Sequence, residues 1–178
     1  MSDSPSLSRL PDTQSLLDTL EQHLRQEIAS RQLTDPVMIG IHSGGVWVAE
    51  QLHQRLNISK PLGKLDITFY RDDFSQVGMH PQVQASQLPF TLEGRDILLI
   101  DDVFYTGRTI RAALNEIFDY GRPAQVLLGV LIERDGRQIP LRPDCVGGTL
   151  TLSAGRRIKL TGPNPLALSV HEVRQEPA

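Results

Sequence analysis

Cysteine is nearly absent from this sequence: Cys145 is the only one among 178 residues. An internal disulfide is therefore impossible, as is a structural zinc site built from cysteines. Long hydrophobic runs are missing too, and none approaches the roughly 18 apolar residues that a membrane span requires. The first residues, Met1 to Ser8, are serine-rich and polar, without the apolar stretch of a secretory signal. There is no cationic excess either, since the formal net charge is −3, which argues against a general nucleic-acid binder. Neither G-K-[ST] nor G-x-G-x-x-G occurs, which removes two common nucleotide-phosphate loops. What remains is ordinary globular composition, 39% hydrophobic and 22% charged, in a chain of one-domain length. We expect a cytoplasmic protein with a disordered tail over residues 1–10 and one domain over 11–178.

The apolar residues fall into alternating patterns. Leu16, Leu17, Leu20, Leu24 and Ile28 recur at three- and four-residue spacing, so Thr13 to Gln32 reads as a helix capped by Asp12 or Thr13. Val37 to Ile41 is a short apolar run followed by a glycine-rich turn and then by helical periodicity over Val46 to Leu56. Leu65 to Tyr70 alternates as a strand does, and Asp96 to Ile100 is a buried strand closed by Asp101 and Asp102. Thr109 to Tyr120 is helical, stopped by Gly121-Arg122-Pro123, and Val126 to Ile132 is a further strand. Strands alternating with helices imply an α/β fold, a mostly parallel sheet with helices on both faces. Such sheets bind ligands beyond the carboxyl ends of their strands. Two loops fall at that edge, His42 to Gly45 and Asp101 to Thr109.

The second loop carries the sharpest signal, I-L-L-I-D-D-V-F-Y-T-G-R-T over residues 97–109. A buried strand delivers two adjacent carboxylates, and a tight turn then opens directly into a helix. The N–H groups and dipole of a helix start attract an anion, and Thr106 and Thr109 add hydroxyls. Two carboxylates would repel that anion, so they are expected to face neutral hydroxyls or a metal. A ligand with a phosphate at one end and a vicinal diol at the other meets both demands.

The same 13 residues resemble the diphosphate-sugar motif of the type I phosphoribosyltransferases. Further segments narrow the resemblance: L-D-I-T-F-Y-R-D-D-F (65–74), T-I-R-A-A-L-N-E-I-F-D-Y-G-R-P (109–123), V-L-I-E-R-D-G-R-Q-I-P-L-R-P-D (130–144) and the loop at 40–45. Together they are similar to the pyrimidine operon regulators that double as uracil phosphoribosyltransferases. The resemblance implies the type I fold with a flexible active-site loop and a small hood. It also implies 5-phosphoribosyl-1-diphosphate (PRPP), uracil and UMP or UTP as ligands. Mg²⁺ would be bound through the substrate, with no direct protein ligand.

Carried over by position, Asp101 and Asp102 hold the ribose hydroxyls. Phe104, Tyr105, Thr106, Gly107, Arg108 and Thr109 surround the phosphate, and Val103 is a further PRPP or UMP contact. Ser43 and Gly44 meet the diphosphate in a loop that often has a non-proline cis bond; the plain alternative is Ser43 as a helix cap. Arg71 is read as a diphosphate contact, the alternative being an ion pair with Asp72 or Asp73. Residues Arg71 to Pro89 would cover the site. Arg134 is a substrate contact, and Ile158 matches a position near the base pocket. The first loop departs from the family, where Thr-Arg-Gly is common, because this chain has Ser43-Gly44-Gly45. A missing guanidinium lowers the expected turnover, with His42 the nearest cationic candidate; an arginine at position 44 is expected to raise it if this loop limits turnover and position 44 tolerates a side chain.

Residues 121–160 hold seven basic residues against three acids, so an operon leader RNA is expected there if the stretch forms one face. The alternatives are an ordinary solvated surface and, for function, transfer to a purine or orotate without regulation. A homodimer or higher oligomer is expected, with Arg137 and Arg142 at the surface or in subunit contacts. Cys145 and Trp47 are read as packing residues.

Overall fold

The computed structural model describes residues 10–67 and 86–173. Helix α1 spans Thr13–Ser30 and is capped by Asp12, whose carboxylate accepts the Ser15 N–H at 3.1 Å. It stops two residues short of the expected end because Gln32 turns left-handed, at φ 53°, and Leu33 N–H returns to the Ile28 carbonyl. Strand β1 (Val37–Ile41) leads into α2 (Gly44–Arg55), and β2 (Gly63–Leu65) follows. Then come β3 (Asp96–Phe104), α3 (Arg108–Tyr120), β4 (Gln125–Arg134), β5 (Cys145–Leu150), β6 (Arg156–Thr161) and β7 (Ala167–Glu172).

Five strands form one parallel sheet in the order β2-β1-β3-β4-β5. Alternation along β3 sorts the core into two layers. Leu98 and Ile100 pack with Leu20 and Leu24 of α1 and Leu52 of α2, while Ile97 and Leu99 pack with Ile110 and Ile117 of α3. Helices therefore cover both faces, as expected. β6 and β7 form a separate antiparallel pair, the hood, and Ile158 and Leu160 join it to the α1 and α2 layer. Trp47 is half-buried in that layer, against the turn at Gly162. Cys145 is buried, and burial pushes its thiol up to about 12, so it packs as a small apolar group.

Three strand boundaries differ from expectation, and β4 runs from Gln125 to Arg134 rather than from Val126 to Ile132. β3 does not close at Asp101 and Asp102 but runs through them to Phe104, because β4 is long enough to keep pairing, with Asp101 opposite Val130 and Phe104 opposite Glu133. β2 begins at Gly63 and ends at Leu65, where its partner β1 has also ended. The expected continuation toward Tyr70 passes Asp66 and Ile67, which are not strand, and beyond Ile67 lies outside the described residues. So do residues 1–9, Arg71 and most of the expected covering loop. The flanks of residues 68–85 are held together: Lys64 and Gln87 exchange backbone hydrogen bonds of 2.8 and 2.7 Å, and Asp66 N–H donates to Ser86 Oγ at 3.1 Å. Among the described residues no helix is long and apolar enough to cross a membrane.

Leu20 is fully buried where α1 crosses the sheet. Leu20→Ala is expected to cost about 2–5 kcal/mol in urea unfolding, against less than about 0.5 kcal/mol for exposed Gln22→Ala. A loss at Leu20 no larger than at Gln22 would contradict this core.

Candidate functional site

At the carboxyl edge of the sheet, β3, the start of α3, the end of β4 and strand β6 enclose a cleft of about 410 Å³. The extension of β3 decides how the acidic pair is presented. Successive strand residues point to opposite sides. Asp101 is 2% exposed and Asp102 half-buried, and each accepts the next backbone N–H: Asp102 N–H to Asp101 Oδ1 at 2.9 Å, Val103 N–H to Asp102 Oδ1 at 2.8 Å. These bonds hold both carboxylates against their own strand.

Beyond Phe104 the chain turns, and α3 begins at Arg108 with Gly107, at φ 94°, as its N-cap. Gly107 provides no side-chain cap, so the helix start keeps its capacity to bind an anion. Thr106 Oγ1 accepts the Arg108 N–H at 3.2 Å.

Asp101, Asp102, Val103, Phe104, Tyr105, Thr106, Gly107, Thr109, Arg134 and Ile158 all line the cleft. Phe104 is fully buried in the core, so only its backbone can meet a ligand. Arg108 does not line the cleft; its Nε donates to Gln138 Oε1 at 3.2 Å. Neither Ser43 nor Gly44 lines the cleft, and Gly44 adjoins it through Asp102. Ser43 occupies the N-cap position of α2 but makes no side-chain cap bond, and the His42–Ser43 peptide is cis. Ile110, Arg157 and Lys159 also line the cleft and were absent from the expected set. The two cations could have been found from Ile158, whose strand neighbours they are.

Gly44 lies against the Asp102 carboxylate. A Cβ at position 44 would run into Asp102 Oδ2 and stand 2.7 Å from its Cγ. This decides the steric condition on an arginine here, because any side chain at position 44 must first displace Asp102. The basic stretch also divides. Arg134 is buried, Arg157 and Lys159 line the cleft, and Arg122 lies at the far end of α3, its N–H bonded to Glu93 at 3.0 Å. Residues 121–160 therefore do not form one basic face, although Arg122, Arg137, Arg142, Arg157 and Lys159 are each exposed.

Among the described residues no three His, Cys, Asp or Glu side chains group as metal ligands. The cleft offers two carboxylates, Asp101 and Asp102. That donor set fits Mg²⁺ held mainly by substrate phosphates and water, its common mode in phosphate chemistry.

Comparison with known proteins agrees with this geometry. The phosphoribosyl transferase domain family matches residues 6–154. The chain is 55% identical to the bifunctional protein PyrR of Pseudomonas entomophila (strain L48), over 89% of this chain and 92% of that one. It is also 55% identical to bifunctional protein PyrR of Nitrosococcus oceani, over 89% and 91%. A hypoxanthine phosphoribosyltransferase from Staphylococcus aureus superposes with a TM-score of 0.62 over 84% of this chain and 83% of that one, at 17% identity, a likeness of fold alone. The chain belongs to the phosphoribosyl transferase family and, within it, to the group of the bifunctional protein PyrR.

Proposed function

We propose that the protein is a pyrimidine-responsive regulator of the pyrimidine biosynthetic operon that also has uracil phosphoribosyltransferase activity. The observation that supports this best is the cleft itself, a two-carboxylate strand end beside a helix start whose N-cap is Gly107, in a chain 55% identical to bifunctional PyrR proteins. In the transfer, uracil N1 bonds to the anomeric carbon of PRPP as the bond from that carbon to the diphosphate oxygen breaks. The N1 proton leaves to solvent.

Asp101 and Asp102 accept hydrogen bonds from the ribose hydroxyls, and their charge favours the cationic sugar of the transition state. Thr106, Gly107 and Thr109 hold the 5-phosphate at the start of α3. Backbone N–H groups at Ser43 and Gly44 receive the diphosphate, with Arg71 as a further contact. Arg134 and Ile158 border the base. Bound Mg²⁺ supplies charge neutralisation on the leaving diphosphate. In regulation the same cleft takes UMP or UTP, and the liganded form binds operon leader RNA through exposed cations such as Arg137 and Arg142. Assembly as a homodimer or higher oligomer is part of the same proposal.

With Mg²⁺ and PRPP present, diphosphate release is expected to depend on uracil and to fall at least tenfold with orotate, hypoxanthine or guanine. Equal release with a purine would replace the uracil assignment, and no release with any base would leave only the regulatory half.

The contact between Gly44 and Asp102 makes a second prediction. Gly44→Ala and Gly44→Arg should both raise the Kd for PRPP by about tenfold or more, the scale of one lost charge-assisted hydrogen bond. An arginine variant that binds more tightly than wild type would show that Asp102 can move aside at little cost.

A further inference from the structure

Tyr105 lies within the phosphate-loop segment, and its ring turns toward Arg134. The ring is 46% exposed and lies over the guanidinium of Arg134, which is 4.0 Å from the ring centroid. Arg134 ends β4 and is only 8% exposed. Its Nη1 donates to the Arg156 carbonyl at the start of β6, at 3.0 Å. Its Nε–H is buried and has no partner among the described residues. A buried guanidinium with an unused donor is costly to keep unless something else uses it.

The ring has room because position 136 is glycine. A Cβ there would run into Tyr105 Cε2 and stand 3.0 Å from Cδ2, and Gly136 adopts φ 122°, which other residues resist. The turn around Gly136 is also tied to the phosphate loop. Gln138 N–H donates to the Thr106 carbonyl at 3.0 Å, and Arg108 Nε donates to Gln138 Oε1 at 3.2 Å. Tyr105 thus stands between the loop that would hold phosphate and the arginine that borders the base end.

We propose that Tyr105 is a positioning residue for base recognition: its ring holds the Arg134 guanidinium flat, so that the Nε side of the fork donates to one carbonyl oxygen of a pyrimidine. The inference rests on the reading of the cleft as a nucleotide site and deepens it. Aromatic stacking restricts the guanidinium to one plane, and Nη1 is already engaged, so the Nε side remains to meet a ligand. A site built to donate to a carbonyl discriminates against ligands that lack one. The ribose and phosphate contacts lie elsewhere and should not depend on the ring.

The test is calorimetry on the full chain with Tyr105→Phe, Tyr105→Leu and, as a second truncation at this exposed position, Tyr105→Met, all checked for unchanged Tm. The ligands are UMP, ribose 5-phosphate and two UMP analogues, one lacking the 4-carbonyl oxygen and one lacking the 2-carbonyl oxygen. Both truncations should raise the Kd for UMP about tenfold, the scale of a charge-assisted hydrogen bond. Tyr105→Phe, which keeps the stack, should stay within about twofold, as should ribose 5-phosphate with every variant. The penalty should vanish for one of the two analogues, the one without the oxygen that Arg134 meets. An equal penalty for UMP and both analogues would mean that the ring stacks on the base itself and would overturn the proposal. So would a loss for ribose 5-phosphate, or no loss at all. Failure of the underlying reading looks different: wild-type protein would bind ribose 5-phosphate and not UMP.

Discussion

Two carboxylates and an anion-attracting helix start lie in one short segment, and charges of like sign cannot share a site in low dielectric without cost. The structure depends on keeping these two features adjacent but separate. β3 does this by continuing past the acidic pair to Phe104, supported by its ladder with β4. At about 3.3 Å per strand residue, the carboxylates stand on the order of 10 Å along the chain before the turn at Thr106. Their own backbone N–H bonds hold them back against the strand. A pentose phosphate has a similar layout, with a diol at one end and a phosphate at the other.

The same economy of space governs the neighbouring loop. Glycine at position 44 lets the Asp102 carboxylate lie against the start of α2, which joins two segments far apart in sequence. The absence of an arginine from this loop is therefore a matter of packing as well as charge. At the other end of the cleft, glycine at position 136 gives Tyr105 its place over Arg134. In both cases the missing side chain makes room for a functional group from another element.

What could be read from the chain alone follows from how locally each feature is encoded. The apolar run from Ile97 to Ile100 and the turn at Thr106 and Gly107 are contiguous, so strand, turn and helix start were legible. The continuation of β3 through two aspartates was not, because Asp is depleted from strands and only the partner β4 keeps that segment extended. β5 was missed for a related reason: Cys145-Val146-Gly147-Gly148 has no apolar run, and its pairing with β4 makes it a strand. The orientation of Arg108 toward Gln138 and the stack of Tyr105 on Arg134 join residues about thirty apart, with no spacing signal to announce them. The basic stretch could be counted but not placed, because charge along the chain takes no account of position: Arg134 is buried, Arg157 and Lys159 line the cleft, and Arg122 lies beyond the end of α3.

The central claim is that the acidic strand end is a ligand site and not a turn device. Calorimetric binding of PRPP with Mg²⁺ to the Asp101→Asn, Asp102→Asn double variant, folded by circular dichroism and Tm, tests it most directly. The account predicts a folded protein whose binding is lost or weakened at least a hundredfold, as expected when two charged acceptors become neutral. A folded variant with undiminished affinity would contradict it.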